Sequence, residues 1–166
     1  MAVRRMTAED IPGAARLEQV CFSDPWSPAM LKESLENPLY RFFVDEEAGT
    51  LTAYAGMFSV LDEGNIANIA VFPEYRRKGI GEALLSALIR CGYEEGLSVL
   101  FLEVRESNNP AISLYLKLGF TETGYRKNYY HEPEEGARIF TKILKDAAAD
   151  GDSGQRPEDR PSFERS

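Results

Sequence analysis

The sequence predicts a single α/β domain: a mixed central sheet flanked by helices. Three observations carry that expectation. Short apolar runs of strand length alternate with stretches whose apolar residues recur at helical spacing. Glycine and proline fall at the joints between these segments rather than inside them. Finally, 166 residues with 43% hydrophobic content suffice for one core. The expected order is β-α-α-β-β-β-α-β-α-β-β over residues 1–145.

Each element has a local reason. Residues 2–6 read as a short strand. Thr7 or Asp10 then opens a helix with Ile11, Ala14, Ala15, Leu17 and Val20 on one face. Ser27 caps a second helix whose first position is Pro28, and Asn37-Pro38 ends it. Two strands at 40–45 and 51–60 flank a turn around Gly49, and a third covers 65–72. Residues 79–95 form the strongest amphipathic helix, stopped by Gly96. Residues 99–104 are apolar on both faces, as in a central strand. Asn109-Pro110 starts a fourth helix that closes at Gly119, and strands at 121–130 and 137–144 follow. Asp, Gly, Ser, Pro and Arg dominate residues 146–166, which read as a disordered tail.

Composition excludes several functions. A net charge of −8, from 27 acidic against 19 basic residues, argues against nucleic-acid binding and suits a cationic partner or plain solubility. Cys21 and Cys91 form no Cys-x-x-Cys pair and read as buried, reduced thiols. One histidine, His131 in a turn-rich stretch, rules out a two-histidine zinc motif, and no metal is expected. Residues 1–10 lack the apolar run of a signal peptide, and no segment reaches the length of a membrane span. A soluble, cytoplasmic monomer is expected.

The chemistry begins at residues 67–88. A strand ends in the turn Pro73-Glu74-Tyr75 and passes through Arg76-Arg77-Lys78-Gly79-Ile80-Gly81 into the amphipathic helix. Glycines there let a ligand approach the backbone, and the free N–H groups of a helix start attract anions. Three basic side chains add positive charge at the same place, so a phosphate or pyrophosphate is the natural ligand. A Walker loop is excluded because no Gly-Lys-Ser/Thr follows, and a dinucleotide fingerprint because Leu84 stands where a third glycine belongs.

This stretch matches the Q/R-x-x-G-x-G/A signature, and the chain resembles the GNAT superfamily of acetyl-coenzyme A-dependent N-acetyltransferases. Four further motifs are similar to its ribosomal-protein-alanine N-acetyltransferase branch: Asn68-Ile69-Ala70-Val71, Leu102-Glu103-Val104-Arg105-x-Ser107-Asn108, Leu114-Tyr115-x-x-x-Gly119-Phe120 and Arg126-x-Asn128-Tyr129-Tyr130. The resemblance spans residues 3–144. It implies that the backbone of Ile69, Ala70 and Val71 pairs with the pantetheine arm. It also implies that amides of Arg76, Arg77, Lys78, Gly79, Ile80, Gly81 and Glu82 hold the pyrophosphate, and that Asn108 contacts the cofactor. One departure is Glu135-Gly136-Ala137-Arg138, where Gly136 and Arg138 change the shape and charge of the groove's end.

For the reaction, Glu103 near the end of the central strand is the candidate general base, directly or through a water. Its structural alternative is a salt bridge with Arg105 on the same strand face. The resemblance gives Tyr115 the role of acid toward the leaving thiolate; otherwise it is a core aromatic. Trp26, in the loop between the first two helices, and Tyr129 with Tyr130 are candidates for binding a peptide; the alternatives are a core Trp and a tyrosine pair that merely decorates a strand. Asp62-Glu63 could attract a cationic substrate or form a solvated turn. Three readings stay open: an N-terminal acetyltransferase acting on a ribosomal protein with an alanine N-terminus or similar peptides, a small-amine or lysine acetyltransferase, and a non-catalytic acyl-coenzyme A-binding module.

Overall fold

The computed structural model describes residues 1–145, and the expected tail lies outside the described residues. Seven strands form one sheet in the order β1-β2-β3-β4-β5-β7-β6. They are β1 (Ala2–Arg5), β2 (Tyr40–Glu47), β3 (Thr50–Val60), β4 (Glu63–Val71), β5 (Val99–Arg105), β6 (Thr121–Tyr130) and β7 (Glu135–Ile143). The helices are α1 (Ile11–Cys21), α2 (Pro28–Glu36), α3 (Ile80–Glu94) and α4 (Asn109–Lys117). This is the expected order, with boundaries moved by one or two residues. Among the described residues no helix is long and apolar enough to cross a membrane.

Local chemistry sets the joints. Ala48 and Gly49 both take positive φ (51° and 79°), the geometry of a two-residue hairpin turn between β2 and β3. The Ser27 side chain accepts from the Met30 amide and caps α2 ahead of Pro28. Gly96 (φ 74°) and Gly119 (φ 91°) follow the ends of α3 and α4 in the left-handed region. Asp62, at the β3–β4 turn, accepts the Ser98 hydroxyl at 2.7 Å. It is at the start of β4, away from the end that carries the ligand motif, so the solvated-turn reading applies to it.

Two cores lie on the two faces of the sheet. One joins α3 and α4 to Ala53, Ala55, Met57, Leu102, Val104 and Phe140. The other joins α1 and α2 to Phe42, Val44, Tyr54 and Ala70. Strand alternation therefore puts Glu103 and Arg105 on the face opposite Leu102 and Val104.

Two irregularities in β4 organise everything else. Glu63 to Ile66 pair in parallel with Val99 to Leu102, and the ladder stops there although both strands continue. At the same level Gly56 faces Asn68 while Met57 faces Ile66, so Ala67 is an extra residue, a β-bulge. A bulge bends and twists its strand, which carries β4 away from β5.

A buried polar network braces the bend. Glu18, fully buried on α1, accepts from the Trp26 amide at 2.8 Å and from the Tyr54 hydroxyl at 2.5 Å. The Asn68 amide donates to the Tyr54 oxygen at 2.7 Å. Burial pushes the Tyr54 phenol up, keeping it a neutral donor to the carboxylate. These bonds offset the desolvation of Glu18 and tie α1, the α1–α2 loop, β3 and β4 together.

Gly56 is required beside this network, since a Cβ would meet the Phe42 ring at 2.5 Å and Asn68 Oδ1 at 3.2 Å. Phe42 is itself in the core, so it cannot swing into solvent. Gly56→Ala is expected to lower stability by about 1–3 kcal/mol. Urea denaturation with an unchanged m-value would measure it, and a wild-type midpoint would contradict the packing described.

Candidate active site

The parting of β4 and β5 opens a cleft of about 1000 Å³. Ile69, Ala70 and Val71 form one wall. They pair with β3 on one side only, Ala55, Tyr54 and Ala53 being their partners, so their other backbone edge is left for a ligand. The cleft is also lined by Tyr75, Arg76, Arg77 and Gly79 to Glu82 at the start of α3, and by Asn108, Pro110, Ala111, Leu114 and Tyr115 around α4. Val20 to Ser23 of the α1 end, with Arg105, Glu132 and Pro133, complete it.

The helix start has the geometry its sequence promised. Gly79 is the N-cap of α3 with φ 82° and makes no side-chain cap, so the first-turn amides are not answered by the chain's own cap. Arg77 also takes a left-handed φ of 64°. Arg76 Nε donates to the Val71 carbonyl at 3.0 Å, fixing the turn against the end of β4. Lys78 is not in the lining; its ammonium sits 5.3 Å from the centre of the Tyr75 ring. Glu82, in the first turn of α3, pairs with Lys117 at 2.9 Å. Asn108 uses its Oδ1 to cap α4 through the Ala111 amide at 3.3 Å, leaving its NH₂ for a ligand. The glycines, the open strand edge and the two lining arginines fit a pantetheine pyrophosphate.

The reactive candidates fall on either side of β5. Tyr115 lines the cleft from the α4 side, packed near Phe120 and Phe140. Burial pushes its phenol up to about 12, so it is neutral at physiological pH. Glu103 is on the opposite face and does not line the cleft directly. The salt bridge with Arg105, the structural alternative for Glu103, is not formed: Glu103 Oε1 lies 3.4 Å from Arg126 Nε, and Arg105 turns to Glu135. The rings of Tyr129 and Tyr130 pack edge-on at 4.9 Å on the face of Glu103.

Consecutive strand residues point to opposite faces, yet Tyr129 and Tyr130 are both buried. The cause is the break in the β6–β7 register between Arg126 and Tyr130, with Asn128 at φ 53°. Burial first and the Glu103 carboxylate second hold the Tyr129 phenol well above its ordinary value. Its hydroxyl is buried without a hydrogen bond of good geometry. Burial likewise raises Tyr130, with Glu103 the next influence and Tyr115 after it.

Other expectations shift. Trp26 does not line the cleft; its ring meets Tyr40 edge-on at 6.3 Å, against the α1–α2 core. Cys91 is buried as expected, but Cys21 is only half-buried and lines the cleft, because α1 ends at the cleft's rim. Gly136 has Tyr125 lying over it: a Cβ would fall 2.0 Å from the phenol oxygen. Arg138 pairs with Glu122 at 2.5 Å, across the β6–β7 ladder, so its charge is turned away from the groove. Sequence reading missed Arg105, Glu132 and Pro133 as lining residues; the only local signal was the turn composition of 132–136.

The family model of the acetyltransferase (GNAT) family matches residues 11–120, and the chain belongs to that family. Its relatives narrow the likeness. Over 128 residues it is 40% identical to the ribosomal protein bS18-alanine N-acetyltransferase of Escherichia coli, covering 77% of this chain and 86% of that one. A Bacillus subtilis relative, provisionally named for the same activity, is 42% identical over 140 residues, 84% of this chain and 93% of its own. The crystal structure of the Escherichia coli ribosomal-protein-S18-alanine N-acetyltransferase superposes with a TM-score of 0.81 at 36% identity, covering 90% of this chain and 97% of that one.

Nothing lies within 4 Å of a Cβ placed on Gly79, so a substitution there tests backbone conformation alone. Gly79→Ala is expected to cost about 1–2 kcal/mol in stability and to weaken acetyl-coenzyme A binding. Calorimetric titration beside thermal denaturation checks both; wild-type affinity in a destabilised variant would detach the left-handed cap from ligand binding.

Proposed function

We propose that this chain transfers an acetyl group from acetyl-coenzyme A to the α-amino group of a protein N-terminus, with the N-terminal alanine of ribosomal protein bS18 as substrate. The placement of Glu103 and Tyr115 on opposite faces of β5, beside the split from β4, carries the chemistry. Similarity to the bS18-alanine N-acetyltransferases supports the choice of acceptor.

When bound, acetyl-coenzyme A supplies the activated acyl carbon. The open edge of Ile69 to Val71 holds the pantetheine arm, and the first-turn amides of α3 with Arg76 and Arg77 hold the pyrophosphate. An α-amino group titrates near 8, so about a tenth of it is already free base at neutral pH. Glu103 takes one proton from the attacking nitrogen, directly or through a water, as the N–C bond forms and the C–S bond breaks. Tyr115 gives its proton to the departing sulfur and recovers one from solvent. Burial makes Tyr115 a weaker acid, but the same dry surroundings make the thiolate a stronger base. A binding module would need neither group, which disfavours the non-catalytic reading.

Tyr115→Phe is expected to lower turnover roughly a hundredfold while the dissociation constant for acetyl-coenzyme A stays within about twofold. Because its phenol sits at about 12, ionisation of Tyr115 should produce no fall in the wild-type rate below about pH 10. A near wild-type rate for the variant removes Tyr115 from the reaction. The acceptor is tested by mass spectrometry on peptides differing at their first residues; acetylation confined to lysine side chains or polyamines overturns the reading.

A further inference from the structure

The β6–β7 turn, residues 131–134, reaches the cleft through Glu132 and Pro133. It is tied down by one side chain from another strand. Arg105 ends β5 and lies on the same face as Glu103. Its Nη2 donates to the His131 carbonyl at 3.1 Å and its Nη1 to the Pro133 carbonyl at 2.8 Å. Nη1 also meets Glu135 Oε2 at 3.2 Å. The guanidinium plane lies 4.6 Å from the centre of the Tyr130 ring. Glu135 completes the tie, its second oxygen accepting the Ser107 amide at 2.6 Å. The bonded positions, 131, 133 and 135, bracket the whole turn.

Arg105 is also the one arginine lining the cleft away from Arg76 and Arg77. A lone arginine in such a cleft invites assignment to a cofactor phosphate. The contacts argue otherwise. Both terminal nitrogens are committed to the turn, a ring covers the plane, and the side chain is 13% exposed. The planar fork reaches two carbonyls and a carboxylate at once, which a lysine ammonium cannot reproduce.

We propose that Arg105 is a positioning residue for the acceptor: it straps the 131–134 turn onto the end of β5 and so fixes Tyr130, Glu132 and Pro133 as the acceptor wall. This inference rests on the N-terminal acetyltransferase reading for its acceptor and on contacts alone for the strap. With the strap in place the acceptor meets a preformed wall and loses less conformational freedom in the encounter. The side-chain bonds of Arg105 run to residues 131, 133 and 135, and none of them reaches β4 or the start of α3.

The test compares wild type with Arg105→Met, Arg105→Lys and the milder Glu135→Gln, by steady-state kinetics, acetyl-coenzyme A titration and amide hydrogen exchange. In Arg105→Met the acceptor KM is expected to rise about tenfold or more, with kcat at saturating acceptor within about threefold. Amides 131–136 should exchange at least about tenfold faster, and acetyl-coenzyme A affinity should stay within about twofold. Arg105→Lys should recover only part of the loss, and Glu135→Gln should move the same readouts less. Unchanged exchange and acceptor KM in Arg105→Met overturn the proposal, and so does a large loss of acetyl-coenzyme A affinity, which would make Arg105 a cofactor ligand. Should Arg105→Met not fold, Glu135→Gln with wild-type exchange and KM overturns it equally. If wild type acetylates no peptide N-terminus, the acceptor reading falls, while the exchange measurement still decides the strap.

Discussion

Where Ile66 meets Leu102 the parallel ladder of the sheet ends, yet β4 runs on to Val71 and β5 to Arg105. Two strands that part within a sheet expose backbone groups that burial would otherwise force into pairs. The bulge at Ala67 supplies the bend, and Gly56 leaves room for Phe42 and Asn68 beside it. One edge of the opening then offers Ile69 to Val71 to an extended ligand. The other carries Glu103 and Arg105 toward one face and Val104 toward the other. The cleft and the placement of Glu103 and Tyr115 on either side of β5 both derive from that one interruption.

Around the opening, conformation is held by polar contacts that span distant parts of the chain. Glu18 links the α1–α2 loop to the bulge through Tyr54 and Asn68. Arg76 clamps the turn that leads into α3 to the end of β4. Arg105 holds the β6–β7 turn. Left-handed residues occur at the same places, at Arg77, Gly79, Asn128 and Glu132. Backbone in that region is disfavoured for non-glycine residues and persists where surrounding contacts fix it. Different side chains thus brace the end of β4 and the β6–β7 turn.

Sequence reading was most successful where the physics is local. Helix caps, hairpin turns and the glycine-led start of α3 depend on neighbouring residues, so the element order and that helix start were legible. Register is not local. Nothing around Ala67 marks it as an extra residue, since its consequence depends on which residues of β3 and β5 lie opposite. The same limit hid the joint burial of Tyr129 and Tyr130, which needs the broken β6–β7 register. Glu103 and Arg105 share a face as expected, yet their partners, Arg126 and Glu135, come from strands whose order in the sheet the sequence left open. Trp26 reads as a groove wall by its loop or as a core residue by its type, and its ring packs edge-on to Tyr40 against the α1–α2 core.

The central claim, that the split edge of β4 is the acyl-carrier site, is tested most directly by amide hydrogen exchange with and without acetyl-coenzyme A. Among the amides of Ile69, Ala70 and Val71, those not bonded to β3 should exchange freely in the unliganded protein and slow at least about tenfold on binding. The amides at the start of α3 should slow with them. Saturable binding that slows α3 and leaves Ile69 to Val71 unchanged would contradict the claim and place the arm of the cofactor elsewhere.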